Sequence, residues 1–331
     1  MTPFSRDIAD YPGGIVLPID KPFRWTSADV VRKVKFAAKK HFGKTNLKVG
    51  HAGTLDPLAT GILLVCIGDA CKRAQLLQDS SKEYVATIRF GATTPSYDLE
   101  KDVDRTFPSA HITADAVEEA LKGFIGTQEQ VAPLFSAKSV DGVRAYELAR
   151  KLYRKGETDK LDEVSMAMLQ RNTIVIFSLE LLDFKPSLRA AKESLRGVSV
   201  SVAKKSSGNT SPLREFSFAH EQNVFVNRSG KNFSDLFSGG QVLVRGGEDV
   251  LTENTTASAR INLADTSGMG LPEATVRIAC SKGTYIRAFA RDLGEALGSG
   301  AHLSALQRTL CGEYRIEDSL KLDEVIKALD I

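Results

Sequence analysis

The sequence predicts an α+β fold, and three observations predict it. Strand-like and helix-like segments follow one another in irregular order, which argues against the regular alternation of a doubly wound parallel sheet. The strand candidates are of two kinds: an apolar run between glycines, Ile62–Ile67 in "GILLVCIG", and an alternating segment, "EYVATIRFG", over Glu83–Gly91. Two helix candidates begin at residues able to cap them, Thr26 or Ser27 for the first and Thr113 for the second.

Taken in order, "GIVLPI" from Gly14 to Ile19 reads as a short strand, and "DKPFRWTSADVV" as a loop entering a helix. Val30, Val31, Val34, Ala37 and Ala38 recur there at helical spacing. The next stretch, "KVGHAGTLDPLATGILLVCIG", sets Asp56 in a loop hemmed by glycine, threonine and proline, just ahead of the buried strand Ile62–Ile67. An aspartate before proline serves either a capped turn or chemistry. Glu83–Gly91 alternates as a half-buried strand should, and Ala114–Phe124 forms an amphipathic helix that stops near Gly126. Further on, "ATVRIACSKGTYIRAFARDLGEALGSGAHL" gives a strand to Cys280, a tight turn through Gly283, and a helix closing near Gly298 to Gly300. Between Pro186 and Pro272 the composition turns to Ser, Gly, Asn and Lys, with strand-like pieces such as "GVSVSVA" and "QVLV". This segment is expected to be an insertion, partly disordered, because a structureless loop of that length inside a compact domain is improbable.

With 331 residues, 42% of them hydrophobic and 26% charged, the chain has ordinary globular composition. Its longest apolar runs fall short of the roughly 20 residues a membrane-spanning helix needs, and the first residues lack a secretory pattern. A cytoplasmic protein is expected. The four cysteines, Cys66, Cys71, Cys280 and Cys311, show no CxxC spacing and read as free thiols. The five histidines show no ligand spacing, so no metal site is expected. Net charge is only +3, but Arg32 to Lys48 carries seven cations and no acid, which fits either a phosphate-binding surface or a solvated helix face. The "GKT" at Gly43–Thr45 is no phosphate loop, because Ala38 stands where the leading glycine must be and a helix stands where a strand must precede it.

Four stretches in a fixed order, "VGHAGTLDPLATGILLVCIGDACK", "KEYVATIRFGATTPSYDLE", "PLFSAKSVDGVRAYELAR" and "CSKGTYIRAFARDLGEALGSGAHLSAL", resemble the TruB family of tRNA pseudouridine synthases. The resemblance covers about Ile15 to Asp183 and Thr275 to Leu322. It implies the pseudouridine synthase fold, with a central mixed, largely antiparallel sheet flanked by helices and loops. The catalytic domain would run over 14–331, with the insertion at 186–272 and no C-terminal RNA-binding domain. The implied reaction converts uridine 55 in the T-loop of tRNA to pseudouridine without a cofactor, on a monomer with no obligate protein partner.

Residue by residue, Asp56 matches the family's essential aspartate, and Arg287 matches the arginine that favours its charged form in a pocket. Tyr84 matches the tyrosine that stacks on the target base and is implicated in removing its C5 proton. Tyr285 and Leu306 match apolar pocket positions. His51 matches the histidine that fills the space a flipped base leaves. Lys21, with Pro22, matches a motif bordering the site and is placed with the substrate-facing residues, although support of the catalytic loop suits it better. Lys138, Arg144 and Arg150 lie in the segment resembling the RNA-gripping thumb, where they would meet phosphates. Two other readings are carried: a non-catalytic RNA-binding protein or tRNA-folding chaperone, and an isomerase acting on another structured RNA.

Overall fold

The computed structural model describes residues 4–136, 138–140, 143–169, 171–188 and 261–330. Most of the segment expected as an insertion, 189–260, lies outside the described residues; its flanks meet where Leu188 N donates to Gly270 O at 3.1 Å.

A ten-stranded sheet organises the chain in the order Leu320–Lys321, Ile15–Lys21, Ala59–Ile67, Ala301–Cys311, Lys82–Phe90, Glu273–Cys280, Asn172–Lys185 and Gly126–Gln130. Val49–Ala52 pairs onto Ala59–Ile67, and Tyr314–Arg315 onto Ala301–Cys311. Pairing is antiparallel except between Ile15–Lys21 and Leu320–Lys321 and between Ala59–Ile67 and Ala301–Cys311. The expected mixed, largely antiparallel sheet is therefore present, and its centre is built from strands far apart in sequence. Among the described residues no helix is long and apolar enough to cross a membrane.

The first helix, Ser27–His41, starts at Thr26 in a full capping box: the Thr26 hydroxyl accepts from Asp29 N while the Asp29 carboxylate accepts from Thr26 N. Val30, Val34, Ala37 and Ala38 are buried along one face, against the core shared with the helix Leu322–Asp330. Arg32, Lys33, Lys35 and Lys40 lie exposed on the other. Thr113 caps Ala114–Lys122 as its sequence requires.

One expectation needs correction. Lys82–Phe90 is not half-buried: only Glu83 and Arg89 escape burial. The strand sits at the middle of the sheet, flanked by Ala301–Cys311 and Glu273–Cys280, and the helix Ile286–Ala296 packs over it. Even Lys82 and Thr87 are buried, so its alternation in residue type does not become an alternation in exposure.

A second core, separate from that of the sheet, gathers Val131, Ala132, Leu134 and Phe135 with Ala145, Ala149, Leu161 and Leu169. It carries the helices Ala145–Arg154 and Lys160–Met168, and Tyr285 packs against it from the sheet side. Gly61 shows how tightly the site's supporting strands approach. Its φ is +93°, and a Cβ there would lie 2.2 Å from the Arg308 carbonyl oxygen, so only glycine fits between Ala59–Ile67 and Ala301–Cys311.

Candidate active site

Asp56 occupies a loop fixed from three directions. Leu55 and Leu58 on either side are buried, which turns the intervening carboxylate outward, leaving it 37% exposed. The Ser27 hydroxyl accepts from Leu55 N at 2.9 Å and donates to Leu55 O at 3.1 Å, tying the loop to the first helix. Lys21 Nζ donates to the carbonyls of Pro22, Trp25 and Pro57 at 3.0, 2.6 and 3.0 Å.

Lys21 is fully buried and spends its donors on backbone, so it positions the loop and offers nothing to a substrate. Its placement among the substrate-facing residues is corrected on that ground. Burial pulls its ammonium down to about 7, against the opposing attraction of Asp56 and Asp20.

Arg287, in the first turn of Ile286–Ala296, grips Asp56 with a two-pronged contact: Nε to Oδ2 at 2.8 Å and Nη2 to Oδ1 at 2.9 Å. The guanidinium is itself buried and held by the carbonyls of Ser96 (3.1 Å, from Nη1) and Phe135 (2.9 Å, from Nη2). Its partner carboxylates raise its pKa further, against the desolvation that lowers it. The geometry thus sets an exposed carboxylate on a buried, preorganised cation.

A second carboxylate, which the sequence reading did not single out, completes the cluster. Asp98 lies 3.7 Å from Arg287 Nε, buried, and accepts from Ser96 Oγ at 2.6 Å and Glu100 N at 2.9 Å. Burial pushes its carboxyl up to about 6; Arg287 opposes the shift and Asp56 adds to it. Its only visible signal was position, in "TTPSYDLE" just after a core strand.

That shift has a sign that can be tested. Between the ordinary carboxylate value of 3.8 and about 6, the folded state holds a proton that the unfolded state has released. Stability relative to an Asp98→Asn variant is therefore expected to fall as pH rises from 4 to 6, by on the order of 3 kcal/mol, and to level off above 7. Denaturant unfolding of both proteins across that range checks it; parallel curves would remove Asp98 as a buried titrating group.

Asp56 and Arg287 line one cleft with Phe23, Leu58, Asp98, Leu99, Leu263, Leu303 and Leu306. Leu306 is thus beside the pair, on an apolar wall. Tyr285 caps the helix that carries Arg287, its backbone fixed at both ends by the buried Gln130 amide at 2.8 and 3.2 Å. Burial raises its hydroxyl, with Arg287 opposing and Asp56 contributing.

Tyr84 and His51 are not among the residues lining this cleft. Tyr84 lies in the main core on Lys82–Phe90, opposite Arg308 in register. Arg308 is fully buried, donating from Nε to Ile62 O at 2.7 Å and from Nη2 to Gly53 O at 3.2 Å, so it links the sheet to the start of the Asp56 loop. Burial raises the Tyr84 hydroxyl against the pull of Arg308, and burial plus Arg308 lower His51. His51 Nδ1 is a buried polar atom without a hydrogen-bond partner among the described residues. Nothing in the sequence pattern marked Arg308, a cation inside an apolar strand.

The thumb cations divide by setting. Lys138 is half-buried and donates to Asn172 Oδ1, whereas Arg144 and Arg150 are exposed. Arg150 stacks over Tyr146 at 5.1 Å and shares a surface concavity with Lys151, Arg154 and Lys155.

Among the described residues no group of three or more metal-ligating side chains comes together. The site's resources are one presented carboxylate, its guanidinium and an apolar cleft. Two family models match the chain. One, described as TruB family pseudouridylate synthase (N terminal domain), covers residues 39–195; the other, described as tRNA pseudouridylate synthase B C-terminal domain, covers 287–331. A relative from Phocaeicola vulgatus named tRNA pseudouridine synthase B is 38% identical over 321 residues, covering 97% of this chain and 95% of its own. Another of that name, from Bacteroides thetaiotaomicron, is 40% identical over 313 residues, covering 94% and 91%. Among solved structures, one chain in a crystal structure of a Cbf5-Nop10-Gar1 complex matches with a TM-score of 0.50 at 20% identity, over 99% of this chain and 58% of that one; the likeness is one of fold. The chain belongs to the TruB family of pseudouridylate synthases.

Proposed function

We infer that the chain isomerises uridine to pseudouridine at position 55 in the T-loop of tRNA, with Asp56 as the nucleophile on a flipped-out uridine. The observation that carries this reading is the fork of Arg287 on Asp56, which holds a partly exposed carboxylate in an apolar cleft. The names of the relatives support tRNA as the substrate.

In this mechanism the bond between uracil N1 and the ribose C1′ breaks as the Asp56 carboxylate takes up the sugar carbon. The uracil turns in the cleft against Leu306, C5 bonds to C1′ as the bond between C1′ and the Asp56 oxygen breaks and frees the carboxylate, the C5 proton leaves, and N1 takes one up. The product has the same atoms as the substrate. Tyr84 stacks on the base and assists loss of the C5 proton, Tyr285 forms part of the apolar wall, and His51 fills the space the base vacates. Lys138, Arg144 and Arg150 meet the RNA backbone, with the exposed cations of the Arg32 to Lys48 run adding to the field that draws it in. The protein works as a monomer on the T-arm, in the cytoplasm, and the 186–272 segment is an insertion within the catalytic domain.

Pseudouridine mapping at every uridine of an unmodified tRNA transcript tests the reading. One new pseudouridine, in the T-loop, is expected with catalytic protein over many turnovers. Modification of an rRNA fragment instead would move the substrate to another structured RNA. Tight binding with no pseudouridine anywhere would point to the chaperone.

A further inference from the structure

The chain re-enters the described residues at Ile261, and the next few residues run along the edge of the catalytic cleft. Ile261 O accepts from Arg24 Nη2, Ala264 N donates to Leu99 O at 2.8 Å, and the buried Thr266 hydroxyl accepts from Arg89 Nη1 at 2.8 Å. Ile261 and Ala264 also pack against Leu58 and Leu99. Arg24 in turn donates its backbone N–H to Pro57 O at 3.0 Å, the carbonyl beside Asp56 that Lys21 also holds. It does so at φ 64°, a left-handed backbone that a non-glycine residue rarely takes. The segment is thereby fastened to both the catalytic loop and the turn carrying Asp98.

Between these fastenings stands Leu263. It lines the cleft with Asp56, Arg287 and Leu306, yet it is 43% exposed. Phe23, on the loop before the first helix, lines the same cleft and is 41% exposed. The floor residues Leu58, Leu99, Leu303 and Leu306 are all buried. Side chains that both line a cleft and face solvent sit at its opening. Leu263 is half out of the core while the backbone on either side of it is fixed, so it presents a stationary apolar face at the entrance rather than closing a packing gap. A nucleobase is the ligand such a face suits in an RNA-processing cleft, and a purine, whose π-face is larger and stacks more strongly, suits it better than a pyrimidine.

We propose that Leu263, together with Phe23, contacts the base next to the target uridine, and that the Ile261–Thr266 segment is part of the surface that selects the substrate. This rests on the reading of the site as a uridine isomerase. The target base must reach the buried floor of Leu58, Leu99, Leu303 and Leu306, so the residues at the opening meet the neighbour that stays outside.

The test uses T-arm RNA minihelices with each of the four bases placed next to the target uridine, and compares wild type with Leu263→Ala and Phe23→Ala. Leu263→Ala is expected to raise KM about fivefold or more on the preferred RNA, with kcat and melting temperature little changed, and to flatten the preference among neighbouring bases. A KM and base preference equal to wild type would overturn the proposal while leaving the isomerase reading intact. A loss of melting temperature with equal losses on all four RNAs would also overturn it, by assigning Leu263 a structural role. Absence of pseudouridine with wild type would instead remove the reading on which it stands.

Discussion

Asp56→Asn is expected to lower single-turnover pseudouridine formation by about 10³-fold or more, while RNA binding and the unfolding midpoint change little. An amide is isosteric with the carboxylate but cannot carry its charge to the sugar. The fold tolerates the change because Asp56 is partly exposed, and Arg287 keeps Asp98 and the carbonyls of Ser96 and Phe135. Activity within about tenfold of wild type would exclude Asp56 as nucleophile and shift attention to assistance of base departure.

Arg287→Met is expected to damage activity and stability together. Methionine preserves much of the stem but leaves the buried Asp98 without its counter-charge, Asp56 without its fork, and two buried carbonyls without a donor. Breaking a buried pair from one side typically costs roughly 3–5 kcal/mol, most of it the stranded charge. If that account is right, Arg287→Met combined with Asp98→Asn regains at least about 1 kcal/mol over the single variant in denaturant unfolding, because the uncompensated carboxylate is gone. Additive losses would show that the two side chains do not act as a unit. Activity is not regained in the double variant, since the fork on Asp56 is still absent.

These two variants separate what could be read from the chain from what could not. Local rules sufficed for the caps at Thr26 and Thr113, which answer to side chains within three residues. They sufficed too for the apolar face of the first helix. The meeting of Asp56 and Arg287 spans 231 positions, and only the ordered set of motifs pointed to it. Asp98 and Arg308 were missed because burial of a charge is a tertiary fact: Arg287 reaches Asp98 from a distant helix, Arg308 is held by carbonyls of other elements, and neither sits in a periodic pattern. Lys21 was grouped with the substrate-facing residues although support of the loop suited it better, and only its burial and its three backbone acceptors decide between the two. Leu263 lay in a stretch whose polar composition reads as insertion, and only its hydrogen-bonded neighbours fix it at the cleft.

The strand pair Asn172–Lys185 and Glu273–Cys280 has a bearing on how the molecule is made. Lys185 and Glu273 are partners across the ladder, yet stand 88 positions apart, where a tight turn would serve. For a fully flexible connection, closing that length instead of a four-residue turn costs only about 3 kcal/mol, an amount a ladder of this length can carry. The larger effect is on timing, since contacts between distant positions form slowly. During synthesis the Asp56 loop, the first helix and the thumb core all emerge before Glu273–Cys280 and the helix behind it. On the proposed mechanism, a ribosome-bound chain paused short of Arg287 displays its carboxylate with no cation to set it, and is expected to form no pseudouridine however well its first half has folded.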